Sequence, residues 1–210
     1  MKKLSILCLI FPLLVFSQEE DFQSWNKVEL GYKIHKKLSL NFTEGLRLRE
    51  NASLTSKTFT NLGIGYRHNK KWRFAVGYRF VQTFHISQDI HLRHRWYADV
   101  VHRKKMQRFQ LSFRSRLQHQ VGSNHLEQYY RGRLSVAYNI RKTPLNPSLS
   151  IETFCNLSVL EVDKMRYTLT ASYPLSKKID WILFYRLQQE INVSNPSHLY
   201  IIGAGASIDF

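Results

Sequence analysis

Pairs of basic residues recur along this chain at nearly even intervals, and no other feature restricts its fold as strongly. Lys36-Lys37, Lys70-Lys71, Lys104-Lys105, Arg141-Lys142 and Lys177-Lys178 begin 34, 34, 37 and 36 residues apart. A second break falls after each pair, at residues 51–56, 85–89, 121–124, 161–164 and 193–197. Each unit therefore reads as strand, loop, strand, turn, and the period argues for stacked hairpins. The later prolines, Pro144, Pro147, Pro174 and Pro196, fall at or near strand ends, where a missing N–H costs the ladder little.

Within the units the side chains alternate with period two. Trp72, Phe74, Val76, Tyr78 and Phe80 interleave with Arg73, Ala75, Gly77, Arg79 and Val81, and Phe109, Leu111, Phe113 and Leu117 interleave with Gln110, Ser112, Arg114, Arg116 and Gln118. One face is apolar and the other polar, the signature of a strand with two different environments. Glu44 interrupts the apolar face between Phe42 and Leu46, which marks a bulge or a short crossing. On this pattern the basic residues lie opposite the aromatic ones.

The first residues read as an export leader. Lys2 and Lys3 precede an apolar stretch from Leu4 to Phe16, and Ser17 stands before the polar run that starts at Gln18. That order matches a Sec-type signal peptide over residues 1–17 with cleavage after Ser17. The apolar stretch is shorter than the ~20 residues a helix needs to cross a bilayer, and no later run is longer. Residues 18–210 then form a single domain, and any membrane role must use strands. The formal charge of +16 falls by Lys2 and Lys3 to +14 on cleavage, still strongly basic. Cys155 is then the one cysteine left, so no intrachain disulfide forms, and no zinc-ligand spacing or other cofactor motif occurs.

A soluble sandwich would alternate in the same way, so the positions of the aromatics decide. Tyr32, Tyr66, Tyr138 and Tyr173 precede basic turns on the apolar face, and Trp72 and Trp181 follow them. Amphipathic rings at one height form the interfacial girdle of an outer-membrane barrel. Reading back from the end, Phe210, Ile208, Ala206, Ala204, Ile202 and Tyr200 share one face. That run resembles the C-terminal signal by which outer-membrane proteins are recognised by the barrel-assembly machinery.

The leader, the early Trp25, the lysine-tipped turns and the terminal aromatic strand together resemble the outer-membrane barrel family known as the domain of unknown function numbered twenty-four ninety. The resemblance spans the whole mature chain. It implies a barrel in the outer membrane of a Gram-negative bacterium, in contact with its lipid and lipopolysaccharide, and carries no site residues with it.

The expected fold is all-β, an antiparallel up-and-down transmembrane barrel of ten to twelve strands. With Phe210 at the periplasmic face the basic turns are periplasmic. Ten regular strands then start near Leu38, and residues 22–34 form an irregular segment or an extra first strand, since bacterial single-chain barrels have even counts.

Arginines gather on the polar face: Arg47, Arg73, Arg79, Arg93, Arg95, Arg114, Arg116, Arg131 and Arg133 among them. A barrel this small has a filled or narrow interior, because aqueous porins need about 16 to 18 strands. The sequence favours a non-catalytic structural, binding or narrow anion-pathway protein. One alternative is an outer-membrane lipid hydrolase built on His119, Ser123 and His125, which flank a short loop. Nucleophilic catalysis needs the serine beside a histidine that a third group orients. The other alternative is an exported basic soluble β protein. Nucleic acid is not an expected partner, because the leader directs the chain away from it, and no phosphate-binding glycine loop is present.

Overall fold

The computed structural model describes residues 20–86, 89–122 and 126–210. The proposed leader, together with Ser123 and His125, lies outside the described residues. The described chain is all β: β1 (Glu20–His35), β2 (Leu38–Arg49), β3 (Leu54–Arg67), β4 (Trp72–Phe84), β5 (Ile90–Met106), β6 (Phe109–Gly122), β7 (Leu126–Tyr138), β8 (Asn146–Asn156), β9 (Glu161–Pro174), β10 (Ile179–Glu190) and β11 (His198–Asp209). Neighbours in sequence pair in order and the sheet closes on itself as a barrel. Even β8, the shortest at 11 residues, covers about 28 Å along the axis at the rise and tilt typical of barrel strands, enough for an apolar band.

Closure decides between two expectations. Residues 22–34 form the extra first strand and not an irregular segment: they lie within β1, which pairs with β2 antiparallel, with a register shift only at Lys33/His35, and with β11 in parallel, from Glu20↔His198 to Gly31↔Asp209. The count is eleven, not even. In an up-and-down meander an odd count leaves the first and last strands running the same way, so the seam has to be parallel. Phe210 extends this seam, donating its N–H to the Gly31 carbonyl at 2.8 Å.

Turn positions shift in places. Lys104 and Lys105 belong to β5, and the reversal falls at 107–108, where Gln107 takes a left-handed φ of 50°. At the other end, the break expected at residues 161–164 lies at 157–160, with Leu160 at φ 58°. Glu44 is exposed on the outer face and pairs in register with Thr60. The irregularity lies farther along that hairpin, where Arg47 pairs with Lys57 but Leu48 with Thr55.

Burial is inverted relative to a water-soluble fold. Large apolar side chains such as Leu62 (55% exposed), Val76 and Leu169 stand on the outer surface, while Arg116, Asp99, Gln120 and Glu152 are buried inside. Soluble monomers rarely expose so continuous an apolar surface, whereas lipid-facing barrels require it. Among the described residues the interior has one small apolar cluster, Trp25, Phe184 and Ile201, beneath the parallel seam.

Candidate functional site: the arginine-lined lumen

The barrel encloses a cavity of about 950 Å³. Arg47, Arg73, Arg79, Arg93, Arg95, Arg114, Arg116, Arg131 and Arg133 all line it, as do Arg49, Arg103, Arg166 and Arg186. Three lysines join these thirteen arginines, against the five carboxylates of Glu29, Asp99, Glu127, Glu152 and Asp209, an excess of eleven positive charges on the wall. The placement follows from pleat alone, since each arginine sits at an even spacing from the next on its strand and so shares one face.

The charges are not evenly matched. Arg116 forks onto Asp99 through Nε–Oδ1 at 2.6 Å and Nη2–Oδ2 at 2.7 Å. Glu152 on β8 accepts from Arg131 of β7 at 2.8 Å, from Arg166 of β9 at 3.3 Å and from Arg114 of β6. Arg131 also donates to Gln118 at 3.0 Å, and Arg166 to Gln188 through Nε at 3.2 Å. Bidentate and multiply bonded guanidinium–carboxylate contacts are the stronger kind of polar contact, and here they tie the five consecutive strands β5 to β9 together. Farther up this wall Arg95 donates to Gln120, whose amide donates to Glu127 at 2.9 Å.

From β2 to β4 the partners are neutral. Arg79 donates to Asn61 at 3.2 Å, and Arg73 reaches the Ser39 hydroxyl at 3.5 Å. Arg49 is the exception: its Nε lies 4.0 Å from the carboxylate of Glu50, its chain neighbour beyond the strand end. Arg47 has no ion pair among the described residues, and its buried Nε has no hydrogen-bond partner.

Aromatic rings mix with these guanidinium groups, against the expectation that the basic and aromatic residues lie on opposite faces. Arg47 lies 3.8 Å from the Trp25 ring centroid, Arg79 4.2 Å from Phe59, Arg116 3.9 Å from Tyr97, Arg131 4.3 Å from Phe154 and Arg186 4.6 Å from Phe184. Three of the rings lie over glycines in the adjoining strand: Phe59 opposite Gly45, Tyr97 opposite Gly77 and Phe184 opposite Gly203. A Cβ at Gly77 would stand 2.3 Å from the Tyr97 ring, and one at Gly203 would stand 2.0 Å from Phe184 and 2.3 Å from the Trp25 carbonyl. A ring resting on a bare backbone is a known way to stabilise sheet glycines, and it lays the ring flat for a guanidinium above it. Alternation assigned these rings to no role; the glycine opposite each was the available signal.

Outside the barrel, Tyr32, Tyr66, Trp72, Tyr138, Tyr173 and Trp181 all face outward near the basic turns. A second set, Tyr78, Trp96, Tyr130, Tyr167 and Tyr185, also faces outward, farther along the strands from the basic turns, and sequence reading gave it no role. His119 belongs to this outer surface, 6.0 Å from Trp96 and 3.4 Å from the Gln128 amide. Its described neighbours include no carboxylate to orient it for catalysis.

The fold has a relative among solved structures. The KdgM porin in complex with disordered oligogalacturonate is similar with a TM-score of 0.50 at 12% identity, over 84% of this chain and 91% of that one. No curated protein matches the chain. A closed strand barrel with a charged interior and an apolar exterior is thus a porin-type fold, and residues 22–198 match the family described as protein of unknown function (DUF2490), to which this chain belongs.

Proposed function

We propose that this protein is an outer-membrane barrel whose lumen forms a narrow, anion-selective passage. The excess of eleven positive charges around a cavity of about 950 Å³ carries this reading. Charge of one sign on a low-dielectric wall concentrates counter-ions and raises their entry rate. Eleven strands fall between the filled eight-strand barrels and the open porins of about 16 to 18, so the bore admits chains and small ions in preference to bulky solutes. The similar porin binds oligogalacturonate, a chain of carboxylate-bearing sugars, and an acidic solute of that kind suits the lumen described here.

On this proposal residues 1–17 direct Sec export and are removed. Phe210 serves the assembly machinery, the basic turns face the periplasm with their aromatic residues at the membrane interface, and the outer surface contacts lipid and lipopolysaccharide. Basic turns with Tyr32, Tyr66 and Trp181 beside them at one end support that orientation. Planar-bilayer recordings of refolded protein test the function. Ohmic steps with a reversal potential displaced toward the chloride equilibrium value are expected under a salt gradient. Cation-selective or absent conductance would overturn it.

A further inference from the structure

Three observations converge on one point of the lumen wall near the mouth opposite the basic turns. First, Arg47 and Lys57 are direct cross-strand partners on β2 and β3, both lining the cavity. Like charges placed directly opposite destabilise a sheet unless something lies between them. Neither residue has an ion pair among the described residues, and Arg93, Arg95 and Lys164 add their fields at Lys57. Second, the Arg47 Nε is a buried donor without a partner. A buried polar group left unsatisfied is costly, so an acceptor at this position is favoured. Third, the β-bulge of this hairpin occurs here. It turns the consecutive residues Ser56 and Lys57 both toward the lumen, and the Ser56 hydroxyl fastens it by donating to the Arg47 carbonyl at 3.2 Å. Bulges re-aim side chains and gather beside functional sites.

We propose that Arg47 and Lys57 form a binding site for a tetrahedral dianion, a phosphate or sulfate group. The proposal rests on the anion-passage reading and adds a specific station to it. Trp25 stacks on the Arg47 guanidinium at 3.8 Å. The ring fixes the guanidinium plane and leaves its N–H edge to fork onto an oxyanion, while the lysine supplies a second, mobile charge. Two adjacent cations without a carboxylate match two negative charges, and attraction scales with the product of charges, so a dianion is held more firmly than a single carboxylate. The Arg47 guanidinium takes up that face of Trp25, so the site reads charge and not a sugar ring.

Isothermal titration of the detergent-refolded barrel with sodium phosphate, sodium sulfate and sodium acetate, at matched ionic strength, tests the site. Phosphate and sulfate should bind about tenfold or more tightly than acetate, a comparison that needs no variant. Lys57→Met should lose about tenfold in phosphate affinity and Lys57→Arg should recover most of it, while Arg73→Gln, on a different part of the wall, should cost less than about threefold. Folding of each variant is checked by the heat-modifiable band on a gel. A sugar monophosphate that outcompetes inorganic phosphate identifies an ester as the ligand, and the reverse order identifies the free ion. Acetate binding as tightly as phosphate, or equal losses from Lys57→Met and Arg73→Gln, would overturn the site. Reversal potentials in phosphate-free chloride separate the two proposals. Anion selectivity without phosphate binding removes the site alone, and phosphate binding without anion selectivity removes the passage alone.

Discussion

The lumen wall from β5 to β9 and the wall from β2 to β4 both present arginines, yet the first also presents Asp99, Glu127 and Glu152 while the second lines the cavity with no carboxylate. On the first wall Glu152 lies between guanidinium groups of β6, β7 and β9. There Arg114, Arg116, Arg131 and Arg166 act as cross-strand fasteners around Asp99 and Glu152, although the eight arginines and Lys164 of this wall still outnumber its three carboxylates. On the second wall Arg79 and Arg73 rest on Asn61, Ser39 and the Phe59 ring, and their fields extend into the cavity. The same residue type thus charges the interior on both sides, and on one of them also fastens strands through shared carboxylates. The difference lies in what stands opposite each arginine, so removing charges from each wall should affect different measurements.

The largest effect is expected at the hub. Glu152→Gln keeps the shape and removes the charge that three guanidinium groups share, and breaking a buried pair from one side typically costs about 3–5 kcal/mol. Urea unfolding in detergent, followed by the heat-modifiable band, should show a loss of about that size, while anion selectivity in bilayers is kept or increased. A variant as stable as the parent would mean that the two walls are alike.

The parallel seam, which joins the two walls behind Trp25, should come next. A Cβ at Gly203 meets a backbone oxygen, which cannot swing aside, as well as the Phe184 ring. Gly203→Val should therefore destabilise by about 1–3 kcal/mol through overpacking. Gly132, whose Cβ would lie 3.4 Å from Thr153 in ordinary contact, offers the contrast: Gly132→Ala should stay within about 0.5 kcal/mol. Equal unfolding midpoints for the two variants would show that β1 is not tightly seated on β11.

How much of this was legible before folding depended on whether the information was local. Alternation along one strand, as in Trp72 to Phe80, is local, and it placed the arginines on one face and the girdle residues on the other. The basic pairs marked reversals within a few residues, although Lys104 and Lys105 themselves stay in the strand, paired with Leu111 and Gln110. Closure was not local. Whether residues 22–34 join the sheet depends on β11, far away in sequence, and on Gly203 leaving room for Phe184 and the Trp25 backbone. Pairing within the lumen was likewise hidden: Glu152 and Arg114 are 38 residues apart, and only register brings them together. The inward rings escaped notice because an aromatic on the polar face breaks the pattern that identified the strands.

The smallest effect tests the charged wall itself. Arg79→Gln removes a charge that has no ion pair among the described residues, while its amide can still bond Asn61, which accepts from Arg79 at 3.2 Å. At about 7 Å in a water-like dielectric one unit charge changes the energy of a passing monovalent ion by about 0.6 kcal/mol, close to a threefold change in its local concentration. The anion-to-cation permeability ratio should fall by about that factor in 0.1 M salt and by less in 1 M salt, where screening shortens to about 3 Å. Arg116→Gln on the other wall leaves Asp99 uncompensated, so it removes one positive charge from the lumen as well, but it also breaks the fork on that carboxylate. If selectivity falls equally in both variants while only Arg116→Gln loses stability, the walls differ in structural role but not in field. If Arg79→Gln loses as much stability as Arg116→Gln, the distinction between fastening and charging arginines fails.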